Sequence, residues 1–126
     1  MHLKDLTCEN DVKREIRKLF KSYRCYDRAS PAGHFSKHGV PDRHACCRGW
    51  FIGVEAKYGG NGLSVPQAKD LKEISAAGGI ALVIDEKTLE VLEDVLRDVR
   101  DGNAGVDDAW WFSLPQHTPG YLEAKK

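Results

Sequence analysis

No stretch of this chain comes near the ~20 consecutive apolar residues that cross a bilayer. Charged residues begin at Lys4, so the apolar region of a secretory signal is missing as well. The expectation is an intracellular protein with no membrane association. Neither sign of charge is in excess, because 19 Lys/Arg face 19 Asp/Glu, which excludes a simple polycation. Cysteine is sparse. Cys8, Cys25, Cys46 and Cys47 include one adjacent pair and no separated CxxC knuckles, so a disulfide framework is not expected. They read instead as reduced thiols serving as small apolar residues. Internal repeats and low-complexity segments are also lacking.

What remains is the composition of an ordinary globular domain, with 41% hydrophobic and 30% charged residues in 126. That length builds one core and leaves little room for a second. The balanced total hides an asymmetry. Residues 1–57 hold 12 Lys/Arg against 7 Asp/Glu, a net of +5, and residues 58–126 hold 7 against 12, a net of −5. A basic half and an acidic half suit a protein that turns one face to a polyanion.

Residues 8–23 follow a helical period, with Val12, Ile16, Leu19, Phe20 and Tyr23 on one stripe and Lys13, Arg14, Arg17, Lys18 and Lys21 around the rest. Glu9 projects near the centre of the apolar stripe and Glu15 to one side. An acid aimed inward there is either a helix-end charge favoured by the dipole or a site residue. Residues 23–29 suit a short strand, and a loop follows that carries His34 and His38. Residues 43–48 and 50–57 suit a hairpin with Gly49 near its turn. Ser64-Val65-Pro66-Gln67 fits a capping box that opens a helix running to Ala77, ended by Gly78-Gly79. Residues 80–84 are wholly apolar and suit a buried strand, and residues 88–100 suit a last amphipathic helix. The sum is an α/β domain over residues 1–100 with a mixed sheet flanked by helices. Residues 101–126 form a tail whose Trp110-Trp111-Phe112 cluster is expected to anchor it to the domain or to a second subunit.

The chemistry concentrates in two short segments. Gly39-Val40-Pro41-Asp42 places an acid at the end of a sharp turn, and Glu55-Ala56-Lys57 ends a strand. Residues two apart on a strand share a face, so Glu55 and Lys57 stand side by side while Ile52, Val54 and Ala56 point into a core. Two carboxylates and a backbone carbonyl suffice for Mg²⁺, which keeps several of its waters. In that arrangement Asp42, Glu55 and the carbonyl of Ala56 bind the metal, and Lys57 positions or helps deprotonate the attacking water of a phosphodiester hydrolysis.

The series Gly39-Val40-Pro41-Asp42, Gly53-Val54-Glu55-Ala56-Lys57, Gln67 and Ala77-Gly78-Gly79 resembles the virus-type replication-repair nuclease (VRR-NUC) domain of the PD-(D/E)XK nuclease superfamily, over roughly residues 9–85. The resemblance implies an αβββαβ core, dependence on Mg²⁺ or Mn²⁺, and endonuclease action on branched DNA such as Holliday junctions. It further implies a homodimer, and a setting in a bacterial or phage-infected cell. It adds Gln67 to the active site, and Glu9 as the best match to an acid from the first helix, with Glu15 nearby. Ala56 stands where larger apolar residues are common, which does not matter if only its carbonyl is used. Lys37, His38 and Arg43 are the candidate contacts to nucleic-acid phosphates.

Other readings share these residues. Glu55 and Lys57 also suit an exposed ion pair of little energetic weight, and Gln67 also suits a purely capping role. His44, Cys46 and Cys47 do not have the spacing of a zinc knuckle. A DNA-binding module without catalysis and a restriction-type endonuclease remain as alternative functions.

Overall fold

A strand that is apolar on both faces has to be covered twice, and this chain places helices accordingly. The computed structural model describes residues 6–30 and 39–103. In order these form α1 (Glu9–Ser22), β1 (Tyr26–Ala29), β2 (Arg43–Cys47), β3 (Trp50–Ala56), α2 (Val65–Ala76), β4 (Ile80–Ile84) and α3 (Leu89–Arg100). His34, Lys37, His38 and the Trp110-Trp111-Phe112 cluster lie outside the described residues. The fold is thus mixed α/β, with a four-stranded sheet and three helices among the described residues.

Strands run in the spatial order β1-β2-β3-β4. The first three are antiparallel neighbours, while β3 and β4 are parallel, joined through α2. On one face Ile52, Val54 and Ala56 pair in register with Ile80, Leu82 and Ile84. These pack with Val12, Ile16 and Phe20 of α1 and Leu92, Val95, Leu96 and Val99 of α3 in the larger core. A smaller core on the other face joins Ala81 and Val83 to Leu63, Ala68 and Leu71. α2 therefore covers the face that carries Glu55. Residues 52–56 are buried without interruption, so both faces of β3 are covered there.

β2 and β3 are linked by Arg48-Gly49, with Cys47 opposite Trp50. Both linking residues have positive φ, 53° and 86°, which is the type I′ hairpin turn that matches strand twist. Arg48 occupies a conformation disfavoured for a side chain with a Cβ. We expect Arg48→Asn to raise unfolding free energy by roughly 1 kcal/mol, read from urea midpoints at unchanged slope.

One expectation about cysteine is overturned. Cys25 and Cys47 form a disulfide, while Cys8 and Cys46 are free and exposed. Strand register explains the pairing. Tyr26 faces Cys46 across the antiparallel ladder, so the next position out sets Cys25 opposite Cys47. Their Cα atoms are 4.7 Å apart, as in directly facing strand residues, and within the range a disulfide spans. Adjacent Cys46 and Cys47 point to opposite faces, so only Cys47 is available for it.

Candidate active site

Asp42 is placed by a turn that is held on several sides. Gly39 has φ 90°, and a Cβ there would collide with the Pro66 carbonyl at the start of α2. Pro41 is fully buried, lying over Gly53 of β3. The Ser30 N–H donates to the Asp42 carbonyl at 2.8 Å, and the Ser30 hydroxyl donates to the Pro41 carbonyl. Through these contacts β1, β3 and α2 together fix the carboxylate. Its Oδ2 accepts the Ala56 N–H at 2.7 Å.

That bond also orients Ala56. In an extended strand the N–H and C=O of one residue leave on the same edge. Lys57 N–H, by contrast, bonds Ile84 on the opposite edge, at 2.9 Å. The Ala56 carbonyl is accordingly directed to the Asp42 side, beyond the start of β2.

Glu55 is only 4% exposed, the one buried charged residue among those described. Its Oε2 accepts from Gln67 Nε2 at 3.0 Å and lies 3.7 Å from Lys57 Nζ. Its Oε1 is buried and has no partner among the described residues. Burial first, and then the charge of Asp42, push the Glu55 carboxyl up to about 8, against the opposing pull of Lys57.

Gln67 caps its helix and also touches Glu55 and Lys57. Its backbone N–H donates to Ser64 Oγ at 3.3 Å, and its Oε1 accepts from the Ser64 N–H at 2.9 Å. The same Oε1 accepts from Lys57 Nζ at 3.0 Å. Two donors on Oε1 leave Nε2 for the Glu55 carboxylate, so the amide is oriented by its neighbours. The helix cap thus locks the acid and the lysine together.

Glu9 reaches this group through an intermediary that sequence reasoning missed. Lys13 Nζ stands 3.4 Å from Glu9 Oε2 and 3.5 Å from Asp42 Oδ1. Burial works against the charge of Lys13, but Asp42 and Glu9 outweigh it and raise its pKa. The i, i+4 spacing from Glu9 was the available signal. Glu15 points elsewhere and pairs with Lys18 at 3.1 Å. Arg43 is not brought to the site either. Its guanidinium is engaged by Asp27 through two bonds of 2.8 and 2.6 Å, with both side chains largely buried.

The fit of a divalent cation turns on this donor set. Among the described residues no three His, Cys, Asp or Glu side chains gather closely enough to hold a metal, since Lys13 stands between Glu9 and Asp42. Two carboxylates and a carbonyl are the donors present, which meets the habit of Mg²⁺ of taking one or two carboxylates and retaining water. The orphaned Glu55 Oε1, and the Glu55 carboxyl that burial and the charge of Asp42 drive towards protonation, would both be relieved by a cation held there. The residues fit the group.

Neither a scan against protein-family models nor a search of curated proteins returns a match.

Proposed function

We propose that the protein is a divalent-metal-dependent endonuclease with a PD-(D/E)XK core, acting on branched DNA. The observation that carries this reading is the joining of Asp42, Glu55 and Lys57 by Gln67 and the Ala56 backbone at one end of β3. The order α1-β1-β2-β3-α2-β4 agrees with the αβββαβ core implied by the sequence resemblance, with α3 added after it.

Asp42, Glu55 and the Ala56 carbonyl are the residues that would hold Mg²⁺ or Mn²⁺. When bound, the cation would supply charge neutralisation on the phosphate and a more acidic water. Lys57 has one role that follows from its surroundings. Its ammonium is held by Gln67 Oε1 and beside Glu55 Oε2, so it presents positive charge at a fixed position. That charge favours the developing negative charge of a pentacoordinate phosphate and orients a water for attack. Gln67 keeps both groups aligned and makes no claim on a proton. Lys13 balances Asp42 and Glu9 on the opposite side of the site. Paired nicks in a four-way junction would require two such sites about a two-fold axis, hence a homodimer.

The test is to incubate the protein with labelled four-way junction, flap, single-stranded and duplex DNA in Mg²⁺, Mn²⁺ or chelator. Metal-dependent symmetric nicking of the junction is expected, with Lys57→Ala inactive and still folded. Cutting of flaps or plain duplex would retain the nuclease and remove the junction specificity. Cutting that continues in chelator, or that Lys57→Ala retains, would overturn the proposal.

A further inference from the structure

Helix α1 carries a row of basic residues that no role at the catalytic end absorbs. Lys13, Arg17 and Lys21 are spaced by four and form one ridge, each about 6 Å further along the helix. Lys13 begins that ridge at Asp42. Arg17 and Lys21 continue it along an open cavity of about 640 Å³ between α1 and β1, lined also by Arg24, Asp27, Arg28 and Arg43. The one acid in this lining is already taken by Arg43 at 2.6 Å. The Arg28 guanidinium lies over the Tyr26 ring, 4.3 Å from its centroid. Arg17, Lys21 and Arg24 are exposed and pair with no carboxylate among the described residues.

Their isolation differs from the rest of the helix, where Lys13, Arg14 and Lys18 each have an acid within 3.5 Å. Three unpaired cations in a concave surface focus positive potential there. They stand in a line that begins at the candidate site. We infer that the α1–β1 groove is a track for the phosphate backbone of DNA, with Arg17, Lys21 and Arg24 each neutralising a phosphate on the strand that leads away from Asp42. Arg43 forms the floor, held rigid by Asp27. The inference rests on the nuclease reading for the identity of the polyanion, and it locates DNA binding on α1 and β1.

Counterion release makes such contacts countable. The measurement is anisotropy of a labelled duplex and a labelled four-way junction in chelator, across a salt series, so that cleavage plays no part. The Arg17→Gln/Lys21→Gln double variant is expected to lower the slope of log K against log salt by about 2, near 0.9 for each phosphate lost. Lys69→Gln/Lys72→Gln on α2 removes the same charge elsewhere and is expected to leave the slope unchanged. Arg17→Lys/Lys21→Arg keeps the charge and is expected to keep the slope. Arg24 has φ 59°, which glycine adopts freely, so Arg24→Gly cannot fail by strain there and is expected to lower the slope by about 1. An unchanged slope in the groove variants, an equal drop in the α2 control, or no DNA binding by the unaltered protein would each overturn the inference. Metal-dependent cutting with an unchanged slope would leave the nuclease standing and remove the groove. Binding through the groove without any cutting would do the reverse.

Discussion

Replacing Glu55 with glutamine is expected to abolish cleavage and at the same time to stabilise the metal-free protein. The first effect follows from removing one of two carboxylates from the proposed metal donors. The second follows from linkage. The folded Glu55 carboxyl titrates near 8, whereas the unfolded value is 4.5. The folded state therefore holds a proton that the unfolded state has released throughout that interval. Stability is undiminished below about pH 4.5, falls as pH rises towards 8, and levels off above it. The accumulated loss is on the order of a few kcal/mol, since each tenfold difference in proton affinity between the two states corresponds to about 1.4 kcal/mol. Glutamine has no charge to bury, so the variant escapes that loss. Thermal melts in chelator from pH 5 to pH 9 should show the unaltered protein losing at least about 5 °C while the variant stays level. Added Mg²⁺ at pH 8 should then raise the melting point of the unaltered protein and not of the variant, because ligand binds only the folded carboxylate pair. A melting point indifferent to pH in the unaltered protein would remove the buried acid from the account. The opposite signs distinguish a site residue from a structural ion pair, whose loss destabilises the fold and whose pKa is drawn down.

Much of this arrangement is legible in the chain, and the reasons are local. The Ser64 capping box, the Gly78-Gly79 stop and the apolar run of β4 are short-range signals, and each element ends within a few residues of its expected place. The Asp42 turn can be read because glycine permits a positive φ and proline fixes the backbone beside it. The features that escape such reading all depend on contacts between elements. The Cys25–Cys47 bond needs the β1–β2 register, which nothing in either strand reveals alone. Lys13 is one of five similar cations on α1, and only the approach of the Asp42 turn to that helix singles it out. Arg43 is a natural candidate for a phosphate contact until β1 delivers Asp27 beside it. The burial of Glu55 is hidden too, since alternation along β3 suggests one wet face and the weakly amphipathic α2 gives little warning that it will cover that face.

The second large effect concerns how the site is held. Gly39→Ala is expected to destabilise the protein far more than Gly49→Ala, although both glycines have nearly the same positive φ, 90° and 86°. The shared backbone cost is about 1–2 kcal/mol for placing a Cβ residue in the left-handed region. At Gly49 a Cβ meets nothing within 4 Å, so that cost is the whole effect. At Gly39 the Cβ would press into the backbone carbonyl of Pro66, which cannot yield as a side-chain tip can. Relief requires the turn and the start of α2 to separate, adding roughly 1–3 kcal/mol as for other overpacked positions. Separation also has a chemical consequence. Asp42 lies three residues after Gly39, and Gln67 lies one residue after Pro66, so the shift pulls the Asp42 carboxylate away from the amide that aligns Glu55 and Lys57. Urea unfolding should therefore give a larger deficit for Gly39→Ala by that steric contribution, and cleavage should fall in this variant while Gly49→Ala, at the far end of β3, keeps its rate. Equal stability losses in the two variants would mean that the turn is not clamped to α2. Loss of stability at Gly39 with full activity would mean that the clamp holds the fold but does not set the distance between the two halves of the site.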